Sequence, residues 1–348
     1  MISEGNSVRR AVLFFLILFL VVSPFSGAQS IEKPKTPSWF RDGTYLVYTM
    51  MMPTNPKKGE VNVIEVWPRL LPPQGIPKSI IEDLDNSSTV TLLVSGDMYL
   101  TIKIVNTTSD TAYVQIELEL NNVSAKQGII IPRLSLKKTL LLNLTEMLYY
   151  EEDGTPIGRP MFFVNPLHLP KEDDYIVVPA FLKKYGLISD RITIKNVSYT
   201  WMENRVLHTH YKDFMPPYLY VEGRGLYLVY NRQTGGSFDI VTQLVYDIDT
   251  GILITTGLCD ITPELVSLGI VKVIALDRVN SRKLYKLIDE GKADKEWWAQ
   301  GFNLYDTNVK LPDYGSGRSP STLAKYFFAL SLVILAVVFL WTERRWKR

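Results

Sequence analysis

The feature that most constrains this chain is a period of two. From Met98 to Val123, Tyr99, Thr101, Lys103 and Val105 alternate with Leu100, Ile102 and Ile104. Beyond a Ser109-Asp110 turn signal, Tyr113, Gln115, Glu117 and Glu119 alternate with Val114, Ile116, Leu118 and Leu120. Successive strand side chains point to opposite faces, so the segment reads as an antiparallel hairpin with one apolar and one wet face. Runs rich in β-branched and aromatic residues recur over 44–51, 61–66, 89–94, 134–142, 175–178, 192–199, 206–211, 226–230, 238–246 and 252–256. They read as further strands. Ser95-Gly96-Asp97, Asp153-Gly154 and Asp249-Thr250-Gly251 fall between such runs and read as hairpin connections.

Helix signals are few. Thr262-Pro263-Glu264 combines an N-cap, a first-turn proline and a first-turn acid, and Ser281 to Glu290 predicts a second helix. The fold class expected is mainly β: an antiparallel sandwich or partly open barrel, as one or two subdomains, with few helices.

The two ends place this domain. Arg9 and Arg10 precede an apolar run from Ala11 to Val22 that is too short to span a bilayer, and Ser26-Gly27-Ala28 supplies a small-residue cleavage site. Residues 1–28 therefore read as a signal peptide. Leu323 to Trp341 is an apolar stretch that, at ~1.5 Å per residue, extends roughly 28 Å and matches a hydrocarbon core. Arg344, Arg345, Lys347 and Arg348 follow it, so the positive-inside rule makes 342–348 a cytoplasmic tail. The expected organisation is signal peptide 1–28, N-terminal β-rich ectodomain 29–215, C-terminal β-rich part 216–293, stalk 294–322 and transmembrane helix 323–341. Pro216-Pro217 is the expected seam, and Gly315, Gly317 and Ser319 suit a stalk.

Charge and cysteine usage narrow the function classes. The first 28 residues contribute +1 and residues 325–348 contribute +4 to the chain's +2, which leaves −3 for the ectodomain. A slightly acidic domain lacks the basic face that nucleic-acid binding requires. Cys259 is the only cysteine, so stability comes from packing without an intramolecular disulfide, and this residue reads as a small buried hydrophobe. Sequons at Asn86, Asn106, Asn122, Asn143 and Asn196 suit a glycosylated outer surface.

No catalytic signature emerges. His208 and His210 share a strand face and are the most metal-like pair, with Glu203, Asp213 or His168 as a third ligand, but an ordinary histidine pair is the favoured reading. Asp247 and Asp249 resemble the start of a calcium loop, yet no glutamate completes it, so a hairpin turn explains them. The clusters Glu151-Glu152-Asp153 and Glu172-Asp173-Asp174 read as solvated loops ahead of calcium sites, and Met50-Met51-Met52 as packing. Gly315-Ser316-Gly317 is only a near miss for a nucleophile elbow. Catalytic, cofactor and metal residues are all expected to be absent.

Two segments, Glu152-Asp153-Gly154-Thr155-Pro156-Ile157-Gly158 and Tyr246-Asp247-Ile248-Asp249-Thr250-Gly251-Ile252-Leu253, resemble stretches of uncharacterised single-pass archaeal cell-surface proteins. The resemblance implies the same topology and an archaeal source, with no activity attached. The expectation is thus a membrane-anchored extracytoplasmic protein, structural or binding, partnered by the membrane and by another envelope protein or glycan. A membrane-tethered hydrolase and a carrier of lipid or another apolar ligand are the alternatives.

Overall fold

The computed structural model describes residues 36–50, 61–72, 76–77, 89–125, 128–189, 191–199, 206–229, 236–259, 261–274 and 301–312. The expected signal peptide 1–28, the apolar segment 323–341, the basic segment 342–348, Asn86, Glu203 and the helix expected at 281–290 lie outside these residues. Among the described residues no helix is long and apolar enough to cross a membrane.

The chain is mainly β and antiparallel. In order the strands are β1 Tyr45–Thr49, β2 Asn62–Val66, β3 Val90–Val94, β4 Met98–Thr107, β5 Thr111–Ala125, β6 Ile130–Asn143, β7 Leu148–Tyr150, β8 Pro156–Gly158 and β9 Ile188–Ser189. They continue with β10 Thr193–Ser198, β11 Leu207–His208, β12 Asp213–Phe214, β13 Tyr218–Val229, β14 Gly236–Asp247, β15 Leu253–Cys259, β16 Ile270–Ile274 and β17 Asn303–Thr307. Two short helices, α1 Pro179–Lys184 and α2 Pro263–Ser267, complete the set.

One sheet follows the order β10-β13-β14-β15-β17-β1-β4-β5-β3-β2-β16, with β6, β7 and β8 running on from β5 and β9 against β13. Strands on both sides of the cis Pro216-Pro217 peptide belong to it. The hairpins expected at 109–110, 153–154 and 249–251 all form, as β4–β5, β7–β8 and β14–β15. In β4 and β5 the alternating apolar set Leu100, Ile102, Ile104, Val114, Ile116, Leu118 and Leu120 is buried. Thr262 caps α2 by accepting from the Leu265 amide, as its position predicts.

Two expectations are corrected. Ser95-Gly96-Asp97 does not turn a hairpin: β3 and β4 both pair with β5, at 123–125 and 112–120, as one strand interrupted by a bend. The bend follows β5 closely, since Gly96 donates to the Asn121 carbonyl and Asn121 donates back to the Asp97 carbonyl. A Cβ on Gly96 would meet that Asn121 oxygen at 2.7 Å, so the glycine serves close approach. Opposite it, Asn122 adopts φ 52, so the same residue types that signal turns here accommodate an irregular ladder.

The second correction concerns the stalk. Residues 303–307 form β17, inserted between β15 and β1, with Phe302 and Leu304 fully buried. The period-two signal is short here, and Asp306 and Tyr305 face outward, so the flanking Gly and Asp outweigh it in the sequence. Two expected strands also shrink: 206–211 contributes only β11, and 175–178 only isolated bridges from Tyr175 to Thr193 and from Val177 to Gly158.

Aromatic residues hold the centre. Phe162 meets Tyr48 at 5.0 Å and Phe302 at 5.6 Å between ring centroids, edge to face; such pairs add about 1 kcal/mol each to simple burial. The hydroxyls satisfy a backbone stretch that is in no strand, because Tyr48 donates to the Phe162 carbonyl and Tyr246 to the Met161 carbonyl. Glu264 of α2, fully buried, accepts the amides of both residues.

Candidate functional site

Among the described residues lies an open cleft of about 620 Å³, within the size range of small-ligand sites. Two loops and the ends of β8 and β10 build it. One loop joins β6 to β7. The Asn143 carboxamide oxygen accepts the amides of Thr145 and Glu146 at 2.9 and 3.1 Å. Met147 then reverses the chain at φ 54 and donates its amide to the Asn143 carbonyl. This is an asparagine-stabilised turn, and it fixes Thr145 and Glu146 at the rim. The Glu146 carboxylate also accepts a close hydrogen bond from the Tyr150 hydroxyl.

The second loop, 165–174, is held from inside. Arg159, just past β8, donates to the Asp174 carboxylate at 2.9 Å and to the His168 carbonyl at 3.3 Å, clamping both ends of the loop. Asp174 also accepts the Lys171 amide, and Asn165, itself buried, accepts the Leu167 amide. Pro166 and Pro170 restrict the backbone further. At the base the two loops meet where the Asn165 amide contacts the Met147 sulfur.

Some groups are left over by this internal pairing. Among the described residues no side-chain hydrogen bond engages His168, Lys171, Thr145 or Tyr199. Leu167 is 55% and Tyr199 44% exposed. The cleft therefore offers two cationic or donor side chains on one loop, a carboxylate with spare lone pairs on the other, and an aromatic and an aliphatic face beside them.

The residues singled out by sequence are distributed differently. Asn106, Asn122 and Asn196 are exposed, and Asn143 is half-buried at the cleft rim. His208 pairs with Asp213 in the small β11–β12 ladder, while His210 packs against the Tyr305 ring at 5.7 Å and His168 sits in the cleft. Among the described residues no three His, Cys, Asp or Glu side chains gather as a metal site. Asp247 is buried and accepts the Thr250 amide and hydroxyl, which closes the hairpin turn.

Glu151 corrects the reading of its acidic run as a solvated loop. Its carboxylate is buried and accepts from Lys138, Lys184 and the Tyr185 hydroxyl, each within 2.8 Å. Burial pushes its pKa up, but the three hydrogen bonds prevail and hold it below the ordinary glutamate value. Lys184 also binds Asp153 and, together with Thr155, lowers that carboxyl to about 2. Burial and then Glu151 push Tyr185 up to about 12. Lys138 faces inward on β6 at a position the alternation assigns to an apolar residue, and this ion cluster is the reason.

Sequence reasoning missed most of the cleft. Arg159, Glu146 and Tyr199 stand alone in the chain, and only the proline-bracketed Pro166-Leu167-His168-Leu169-Pro170 marks a preorganised loop. Compared with known proteins, the chain matches no family model, no characterised sequence and no solved structure.

Proposed function

We propose that the protein is a membrane-tethered, extracytoplasmic binding protein that presents the cleft between 143–147 and 165–174 to a ligand of the cell envelope. The cleft carries this reading: two loops immobilised by their own hydrogen bonds present His168, Lys171 and Thr145 beside Tyr199, none of them engaged by a side-chain hydrogen bond among the described residues, the arrangement of a preorganised recognition site. The sequence supports the location through its leader, its apolar segment 323–341 with the basic stub, and its sequons, four of which lie on exposed or half-buried positions. The same topology is that of the archaeal single-pass surface proteins whose segments the chain resembles.

The sheet curls over on itself as a sandwich or partly open barrel. One apolar cluster supports this, because it includes Ile194 and Val221 from one end of the strand order and Ile64 and Val273 from the other. Large side chains such as Tyr48, Phe162 and Phe302 fill that interior, which favours a surface cleft over an internal lipid cavity as the binding site.

The test is retention of envelope material by the detergent-solubilised full chain. The wild type is expected to hold a glycan or small-molecule fraction that Leu167→Arg, which fills the cleft without touching the core, releases. Equal retention by both proteins counts against the cleft.

A further inference from the structure

The charges of the cleft define the class of ligand. Arg159 is matched by Asp174 at 2.9 Å and also holds the His168 carbonyl, so this pair fixes the loop and contributes little net field. What remains is polarised. Lys171 and His168 lie on the proline-bracketed loop, and Glu146 on the turn of the other wall retains lone pairs beyond the one given to Tyr150. A ligand that satisfies both walls carries an anionic group for the first and hydroxyl donors for the second. Tyr199 and Leu167, which also line the cleft, provide an exposed aromatic and an exposed aliphatic surface of the kind that packs against the C–H face of a ring. Because the cleft is open and its rim polar, the remaining hydroxyls of such a ring stay hydrated, whereas a purely aromatic acid would leave its apolar face in water.

Resting on the reading of the cleft as a binding site, we infer that its ligand is an acidic sugar, a hydroxylated ring whose carboxylate rests on Lys171 and His168 and whose hydroxyls donate to Glu146. The Thr145 hydroxyl, at the same rim, supplies a further sugar contact.

The experiment is calorimetric titration of the full-length chain in detergent with glucuronic acid, glucose and inorganic phosphate, repeated with Lys171→Ala and Glu146→Gln. Glucuronic acid is expected to bind, with glucose and phosphate each about tenfold weaker or worse, the value of one charge-assisted hydrogen bond. Lys171→Ala is expected to bring glucuronic acid down to the level of glucose, and Glu146→Gln to weaken both sugars while leaving phosphate unchanged. Both residues are at the surface, so thermal melting of each variant should match the wild type. Equal binding of glucose and glucuronic acid, insensitive to Lys171→Ala but abolished by Leu167→Arg, overturns the acidic-sugar assignment and leaves the cleft as the site. Phosphate binding as tightly as glucuronic acid means an anion site without sugar recognition and also overturns it. Binding of sugars unaffected by Leu167→Arg overturns both readings.

Discussion

The Glu264 carboxylate accepts the Met161 amide at 2.8 Å from a position 103 residues further along the chain. Its other oxygen and the Tyr149 hydroxyl, both fully buried, have no hydrogen bond of ordinary geometry among the described residues, yet the Tyr149 pKa is raised first by burial and then by Glu264 beside it. Burial raises Glu264 to about 7, against the opposing pull of the Met161 and Phe162 amides. The protonated acid can donate to Tyr149, which accounts for both orphaned atoms at once.

A pH dependence follows. Since the folded value lies above that of an exposed glutamate, the stabilisation from neutral Glu264 is complete below pH about 4.5 and is lost as pH rises through about 7. The full effect is on the order of 3 kcal/mol. Thermal denaturation between pH 5 and 8, above the range where the Glu151 cluster titrates, should show Tm falling across this window in the wild type and nearly flat in Glu264→Gln. A wild-type Tm that rises over the same window would contradict a buried neutral acid.

The Glu151 cluster acts with the opposite sign. Its pKa and that of Asp153 are lowered on folding, so their stabilisation is present above the unfolded values and is lost as pH falls through the folded ones, about 2 in the case of Asp153. With Glu264 this places maximum stability near pH 5. Glu151→Ala should cost about 2 kcal/mol, discounted for the solvent access of both lysines, and should erase part of the acid limb in urea titrations. Unchanged stability would show that the cluster contributes nothing net.

Gly158 sits where β8 passes between α2 and residue 176. A Cβ there would meet the Ile176 carbonyl oxygen at 1.9 Å and Pro263 Cγ at 2.7 Å. Gly158→Ala should therefore destabilise by about 3 kcal/mol or more, the range of severe core disruption. The contrast is Gly128→Ala, where nothing lies within 4 Å and only φ +77 opposes the substitution; about 1 kcal/mol is expected. Chemical denaturation of the two variants measures the difference.

The last strand among the described residues sets where the domain can be cut. β1 pairs with β17 over Leu46–Thr49, and β15 meets the same strand at Asn303. A chain ending at residue 320 should leave the membrane fraction and melt like the full protein, because it keeps β17 and loses the apolar segment. A chain ending at 300 should show no cooperative melt. Cooperative unfolding of the shorter form would mean that β17 is dispensable.

The parts of this structure legible in the sequence are those governed by local rules. Alternation in β4 and β5 gives both the strands and their buried face, and Thr262 announces its cap. Where long-range contact decides, local signals mislead. Gly96 looks like a hairpin glycine but relieves a clash with Asn121, and β17 is too short to outweigh the Gly- and Asp-rich chain around it. Lys138 breaks the apolar alternation of β6 only because Glu151 meets it from just past the end of β7. Glu264 is legible as the first-turn acid of α2 but not as a buried one, although it and Lys272 are the only charged residues from Ile261 to Ile274. The cleft had the weakest signal, because Arg159, Glu146 and Tyr199 converge through pairings far apart in the chain, and histidine spacing drew attention to His208 and His210 instead.

Hydrogen exchange of the full chain with and without glucuronic acid, read by mass spectrometry, tests the binding account most directly. Slowed exchange confined to amides of 143–147 and 166–174 is the predicted result, with the β4–β6 ladder unchanged. Protection on the outer face of β4–β6, with both loops unaffected, would contradict it.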